Sequence, residues 1–283
     1  MLSLLSFQPA DRGLTEATDL ADIWQQHGGS IDGSTDDPYR AGRWHCDRTG
    51  AQILIDLGSL PLEHDPLDEE KQYPGWQRLP MHLQIPLCGP HWLAVEALAC
   101  IEQVLADIPE VAVLDAEDPR PADEVQPGQL DRLACLDSWE RQMSSQLTGR
   151  DDLPRMARLP SVALWRYRKQ RPVGGASPDE IIWPEALVLN DQGQARAAAF
   201  WSHPDLPLAL PPVELLVIQR ERDIGVLPAD ELIIAAKHVE THPDSGATII
   251  PASDQTHALH AGARLLPLER FRACGGEDWT DCR

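Results

Sequence analysis

Four of the ten histidines of this 283-residue chain fall between positions 238 and 260, and no other segment offers as much coordination chemistry. In His238-Val239-Glu240-Thr241-His242 the two imidazoles stand four residues apart, which places both on one face if a helix starting at Ala229 runs through Thr241. His257 and His260 follow, with Asp244 and Asp254 between, and neutral imidazoles with a carboxylate suit zinc or another divalent ion. A metal-dependent hydrolase built on the segment from His238 to His260 is one reading. Against it, histidines in a last helical turn interact favourably with the negative end of the helix, and His242 precedes Pro243. The order His-x-Glu-x-His also lacks the Glu directly after the first His that metallopeptidases use.

Other constellations carry less. Trp44-His45-Cys46-Asp47 puts a thiol beside an imidazole, but neighbours on a strand point to opposite faces, so His45 is badly placed to activate Cys46. Glu69-Glu70-Lys71 echoes metal-dependent nucleases only in residue types, since it sits in a proline-flanked acidic stretch. Gly174-Gly175-Ala176-Ser177-Pro178 lacks the Lys of a phosphate loop and reads as a turn. Dinucleotide, P-loop, nucleophile-elbow, HExxH, paired CxxC and EF-hand signatures are all missing. The expectation is a protein without catalytic residues and without a cofactor.

Charge is the stronger signal. The chain holds 45 acidic against 24 basic residues, net -21, which repels phosphate backbones and anionic headgroups. Neither nucleic acid nor membrane is expected as a partner, and a basic protein is. Residues 1 to 150 carry 26 acidic and 10 basic side chains, net -16, and 151 to 283 carry 19 and 14, net -5. The acids gather in two proline-containing stretches, Glu63 to Glu70 and Asp115 to Glu124, both read as exposed loops. Glu63, Asp65, Asp68, Glu69 and Glu70, followed by Tyr73 and Trp76, form a candidate docking surface of acid beside aromatic. The only basic cluster, Arg150 to Arg171, reads as compensation for the acidic half. These features resemble, in composition only, inhibitors and immunity proteins that cover a basic surface of another protein.

The N-terminus has no basic n-region, no apolar run approaches a bilayer span, and the six cysteines are scattered, so a cytoplasmic protein with reduced thiols is expected. Cys88, Cys100 and Cys135 lie in apolar patterns and read as core, while Cys274 and Cys282 lie in a Gly-rich acidic tail. Nine tryptophans outnumber three Phe and three Tyr. Trp24, Trp92, Trp139 and Trp165 are expected in the core, and Trp76, Trp183 and Trp279 partly exposed.

The elements that must position these residues give an α+β fold of mixed or antiparallel sheets with packed helices, more helical in its N-terminal half and more strand-rich in its C-terminal half. Helices are predicted over Thr15 to Gln26, Pro90 to Ile108, Gln129 to Leu147 and Ala229 to Thr241. Strands are predicted over Gln52 to Leu57, His82 to Leu87, Val111 to Leu114, Val162 to Tyr167, Ala186 to Leu189, Ala195 to Trp201, Glu214 to Ile218, Thr248 to Ile250 and Ala263 to Leu268. Asn190-Asp191-Gln192-Gly193 is hairpin chemistry. The second acidic stretch serves as a linker between an acidic domain, 1–120, and a strand-rich one, 121–283, unless the two are one continuous domain.

Overall fold

The computed structural model describes all residues except 35, 36, 38, 59–72, 121–123, 151, 173–180, 202–204, 221, 222, 256–264, 277, 282 and 283. The chain divides into two compact units, one of Met1–Leu87 with His91–Gly149 and one of Cys88–Pro90 with Arg150–Arg283. Within the first unit the third helix packs on the second helix and the first strand. Helices and strands are spread through both units, and the fold is α+β. Among the described residues no helix is long and apolar enough to cross a membrane.

The first unit is a six-stranded, fully antiparallel sheet. Its strands are β1 (Leu2–Pro9), β2 (Ser30–Ile31), β3 (Tyr39–His45), β4 (Gln52–Gly58), β5 (Trp76–Ile85) and β6 (Ala112–Asp115). They lie in the order β2-β3-β4-β5-β1-β6. Helices α1 (Ala17–Gln26), α2 (His91–Ala106) and α3 (Arg132–Gln146) pack against β1, β4 and β5. The alternation of β4 decides the faces: Ile53, Ile55 and Leu57 are buried while Leu54 and Asp56 are half-buried. β1 lies between two neighbours and is buried almost throughout, so its apolar run shows no alternation and gives no strand signal by period. Asp131 caps α3 by accepting from the N–H groups of Leu133 and Ala134 at 3.0 and 3.1 Å, so the helix begins at Arg132, three residues later than the apolar pattern suggests.

The second unit holds a mixed six-stranded sheet in the order β14-β11-β10-β8-β7-β15, with β8 and β10 parallel. These strands are β7 (Ala186–Asp191), β8 (Gln194–Trp201), β10 (Leu215–Arg220), β11 (Asp223–Pro228), β14 (Leu266–Pro267) and β15 (Arg272–Cys274). A three-stranded sheet joins β12 (Glu240–Thr241), β13 (Thr248–Ile250) and β9 (Leu208–Leu210). Helices α4 (Arg158–Gln170) and α5 (Ala229–Ala235) complete it. One face of the larger sheet buries Ala199, Trp201, Leu216, Ile218 and Leu227 against Leu232 of α5 and Leu208, Leu210 and Ile250 of the smaller sheet. The predicted hairpin forms as drawn: Gln192 and Gly193 take positive φ of 55° and 92°, and Asn190 Oδ1 accepts from Gly193 N at 2.7 Å.

Five expectations are corrected. Val162 to Tyr167 is helix, within α4, rather than strand: Pro160 sits in the first turn, where it costs no hydrogen bond, and Ser161, Leu164 and Tyr167 bury one face at a spacing of three. Helix α5 stops at Ala235 instead of Thr241, because Asp254 Oδ2 takes the N–H groups of Lys237 and His238, each at 2.8 Å. Trp183 and Trp279 are buried, at 6% and 1% exposure, instead of partly exposed. Trp183 stacks on Tyr167, and the tail around Trp279 is tied in by backbone pairing of Thr280 with Pro154 and Met156. Cys88 is exposed, while Cys100 and Cys135 are buried. Trp165, expected in the core, is half-buried with the Lys169 ammonium 5.1 Å from its ring centre.

Candidate functional site

The face of the first sheet that carries Asp56 and Leu54 also carries Ser3, Leu5 and Phe7 of β1 and His82 and Gln84 of β5, since Asp56 pairs with His82, Leu54 with Gln84, Ser3 with Gln84 and Leu5 with His82. This register assembles a polar seam across four strands. Tyr39 donates its hydroxyl to Asp56 Oδ1 at 2.6 Å, and Gln84 Nε2 donates to Asp56 Oδ2 at 2.9 Å. Gln84 Nε2 lies 3.1 Å from His82 Nδ1, and His82 Nε2 lies 2.5 Å from Ser3 Oγ. His82 is 6% exposed and Ser3 half-buried. Burial works against the charge of Asp56, but the polar side chains beside it more than offset that and hold its carboxyl below the usual range. Desolvation, and then the Asp56 carboxylate, push the Tyr39 hydroxyl up to about 12.

Beside the seam the same face turns apolar. Leu5, Phe7, Ala112 and Leu114 form a buried cluster with Tyr73 and Val125, against which Trp76 packs half-buried. The Tyr73 ring meets Phe7 edge-on, with centroids 5.4 Å apart, and Tyr73 is 8% exposed. Tyr73 therefore belongs to the core of this face, and Trp76 is the aromatic of the predicted pair with surface to offer. Glu63, Asp65, Asp68, Glu69 and Glu70 lie outside the described residues, as does the Glu69-Glu70-Lys71 triplet.

A cavity of about 580 Å³ opens on the helix-bearing side of the unit, lined by Leu4, Val113, Asp115, Asp118, Asp131 and Ser138 among others. Three of its carboxylates, those of Asp115, Asp118 and Asp131, serve the protein's own geometry. Asp115 accepts from Ser138 Oγ and from Glu117 N, and Asp131 caps α3. Asp118 binds the Arg120 guanidinium through Nε at 3.0 Å and Nη2 at 2.7 Å, which holds its carboxyl below the usual range. The Cys135 thiol on the wall is pushed up to about 12 by burial and is no nucleophile.

In the second unit the predicted metal pair does not share a helix. His238 follows the end of α5, is 79% exposed at its side chain and has Nδ1 3.4 Å from Asp254 Oδ2. His242 lies past β12, contacts Ser245 through Nδ1 at 3.1 Å, and packs edge-on against Trp183 at 5.3 Å. His257 and His260 lie outside the described residues, as does the Gly174–Pro178 turn. Among the described residues no group of three His, Cys, Asp or Glu side chains is placed to hold a metal ion. His45 contacts Asp47 at 3.1 Å, as its position at the end of β3 allows, and Cys46 lies beyond the strand.

Sequence reasoning missed Ser3, Tyr39, Asp56, His82 and Gln84 entirely. Two signals could have found them: a Ser inside the apolar run of β1, and the polar residues Asp56, His82 and Gln84 at alternate positions of two strong strands. No protein-family model, curated protein or solved structure matches the chain.

Proposed function

We propose that this is a non-enzymatic, cytoplasmic protein-binding protein, an inhibitor or immunity-like protein, which uses an acidic surface on its first unit to bind a basic protein partner. The observation that carries this reading is the concentration of charge: net -16 in residues 1 to 150, with five acids between Glu63 and Glu70. Such a field steers a basic partner into encounter over a Debye length of about 8 Å at physiological salt. The half-buried Trp76 adds the apolar contact that charge alone lacks. Docking takes place on the sheet face that carries Trp76, which follows the acidic segment in the sequence.

The reading is tested by capture from native lysate at low and high salt, followed by reconstitution with the purified captured protein. A basic protein that binds in stoichiometric amounts at low salt and is released at high salt supports it. Recovery of no such protein, or of one whose binding ignores salt, removes its basis.

A further inference from the structure

Ser3, His82 and Asp56 are the residue types of a hydrolase triad, and His82 lies between the other two, with Nε2 toward Ser3. The proton bookkeeping of the seam nevertheless runs the other way. An ionised carboxylate only accepts hydrogen bonds, so the atom of Gln84 that lies 2.9 Å from Asp56 Oδ2 must be the amide nitrogen. That nitrogen has a second hydrogen, and 3.1 Å away is His82 Nδ1. Nδ1 is therefore the acceptor of the ring, and its own approach to Asp56 Oδ2, 3.5 Å, is too long for a strong Asp–His bond. In a neutral imidazole the proton then resides on Nε2 and is donated to Ser3 Oγ. Ser3 accepts from His82 where a nucleophile would have to give its proton up.

We infer that the seam is a hydrogen-bond chain in which Gln84, its amide fixed by Asp56, donates to His82 and pins it as its Nε2–H tautomer, leaving the Ser3 hydroxyl hydrogen to donate to a main-chain carbonyl of a protein docked on this face. The docking half of this inference rests on the proposed function; the tautomer does not. Among the described residues the only hydrogen-bond partner of Ser3 Oγ is His82, so the hydroxyl hydrogen is uncommitted. Its acceptor is neutral rather than anionic, because Asp56 lies in the same seam and the surrounding half of the chain is net -16. A backbone carbonyl of a basic protein meets both conditions. The groups facing the His82 ring from adjacent strands are Ser3 and Leu5 of β1 and Asp56 of β4, with Gln84 on its own strand.

Nitrogen-15 NMR of the ring in the full chain, with its signals identified by their loss in His82→Phe, reads the tautomer directly. The expected result near neutral pH is a protonated Nε2 and an unprotonated, hydrogen-bonded Nδ1. A protonated Nδ1 with a bare Nε2, or covalent labelling of Ser3 by a fluorophosphonate, overturns the inference and makes the seam a relay. Poly-L-lysine, which carries positive charge and main-chain carbonyls, probes the donor. Ser3→Ala is expected to weaken its binding about three- to tenfold, as for one lost hydrogen bond, and Ser3→Thr to retain it. Equal binding by Ser3→Ala, or no binding by the wild-type chain, overturns the donor role. No binding with the expected tautomer counts against the docking reading, whereas the wrong tautomer counts against the chain itself.

Discussion

Replacing Asp56 by Asn keeps the shape of the side chain and removes its charge, and the seam loses the acceptor of two charge-assisted hydrogen bonds. Two donors arrive on separate oxygens, Tyr39 on Oδ1 at 2.6 Å and Gln84 on Oδ2 at 2.9 Å. An amide offers one oxygen, so with that oxygen on Gln84 its NH₂ faces Tyr39, whose hydroxyl must turn from donor to acceptor, and neither bond is any longer made to a charge. A hydrogen bond to a charged group contributes about 1.5–3 kcal/mol, and the Asp56 side chain is 16% exposed, so solvent relieves part of the loss. The expected destabilisation of the first unit is about 2 kcal/mol, or about 1 M in urea midpoint at a slope of about 2 kcal/mol/M. Tryptophan fluorescence reports it, because Trp24, Trp92 and Trp139 are all buried in this unit. Tyr39→Phe removes only the terminal bond at a 37% exposed residue and is expected to cost under about 1 kcal/mol. Since Asp56 is held below its ordinary value, its contribution is fully present above pH about 4 and is lost as pH falls through the lower folded value. The difference between wild type and Asp56→Asn must shrink over that acid window. An Asp56→Asn midpoint within error of wild type, or a loss no larger than that of Tyr39→Phe, refutes the reasoning.

Other expectations concern the frame around the seam. Gly42→Ala places a Cβ 2.3 Å from the Ser30 carbonyl oxygen and 2.7 Å from Ile31 Cδ1, so β2 must separate from β3 at a cost of about 1–3 kcal/mol in a denaturant melt. Thiol titration with a disulfide reagent should modify the exposed Cys88 early, while Cys100 and Cys135, pushed up to about 11 and about 12 by burial, stay silent until denaturant is added. Asp254→Ala leaves the N–H groups of Lys237 and His238 without their acceptor and should lower the melting temperature of the second unit near neutral pH. Those hydrogen bonds, that from His238 first, hold the Asp254 carboxyl low, so the difference should fade as pH drops through its folded value.

Which parts of this fold were legible follows from how many constraints act on each segment. The helix α2 was plain because one sequence carries a broad apolar stripe, a Pro before its start and a Pro after its end. The β7–β8 hairpin was equally plain, because Gln192-Gly193 must supply two positive φ values. The α4 helix was misread because Val162, Trp165 and Tyr167 are residues that strands favour, and its burial period of three is short and interrupted by arginines. Helix α5 stopped early for a reason no local pattern contains, a carboxylate from Asp254, 16 and 17 residues away. The acidic segment was legible as charge. The seam was not, because its five members lie on four strands and only the register brings them together.

The acidic surface is the central claim, and reversing it is the most direct measurement. Asp65→Lys, Asp68→Lys, Glu69→Lys and Glu70→Lys, made together, change the net charge from -21 to -13. Their effect is read as binding to the purified basic partner at low salt, with the urea midpoints of both units measured on the same sample. Binding is expected to fall to the level the wild-type chain shows at high salt while both midpoints stay put. Undiminished low-salt binding by the reversed chain would contradict it.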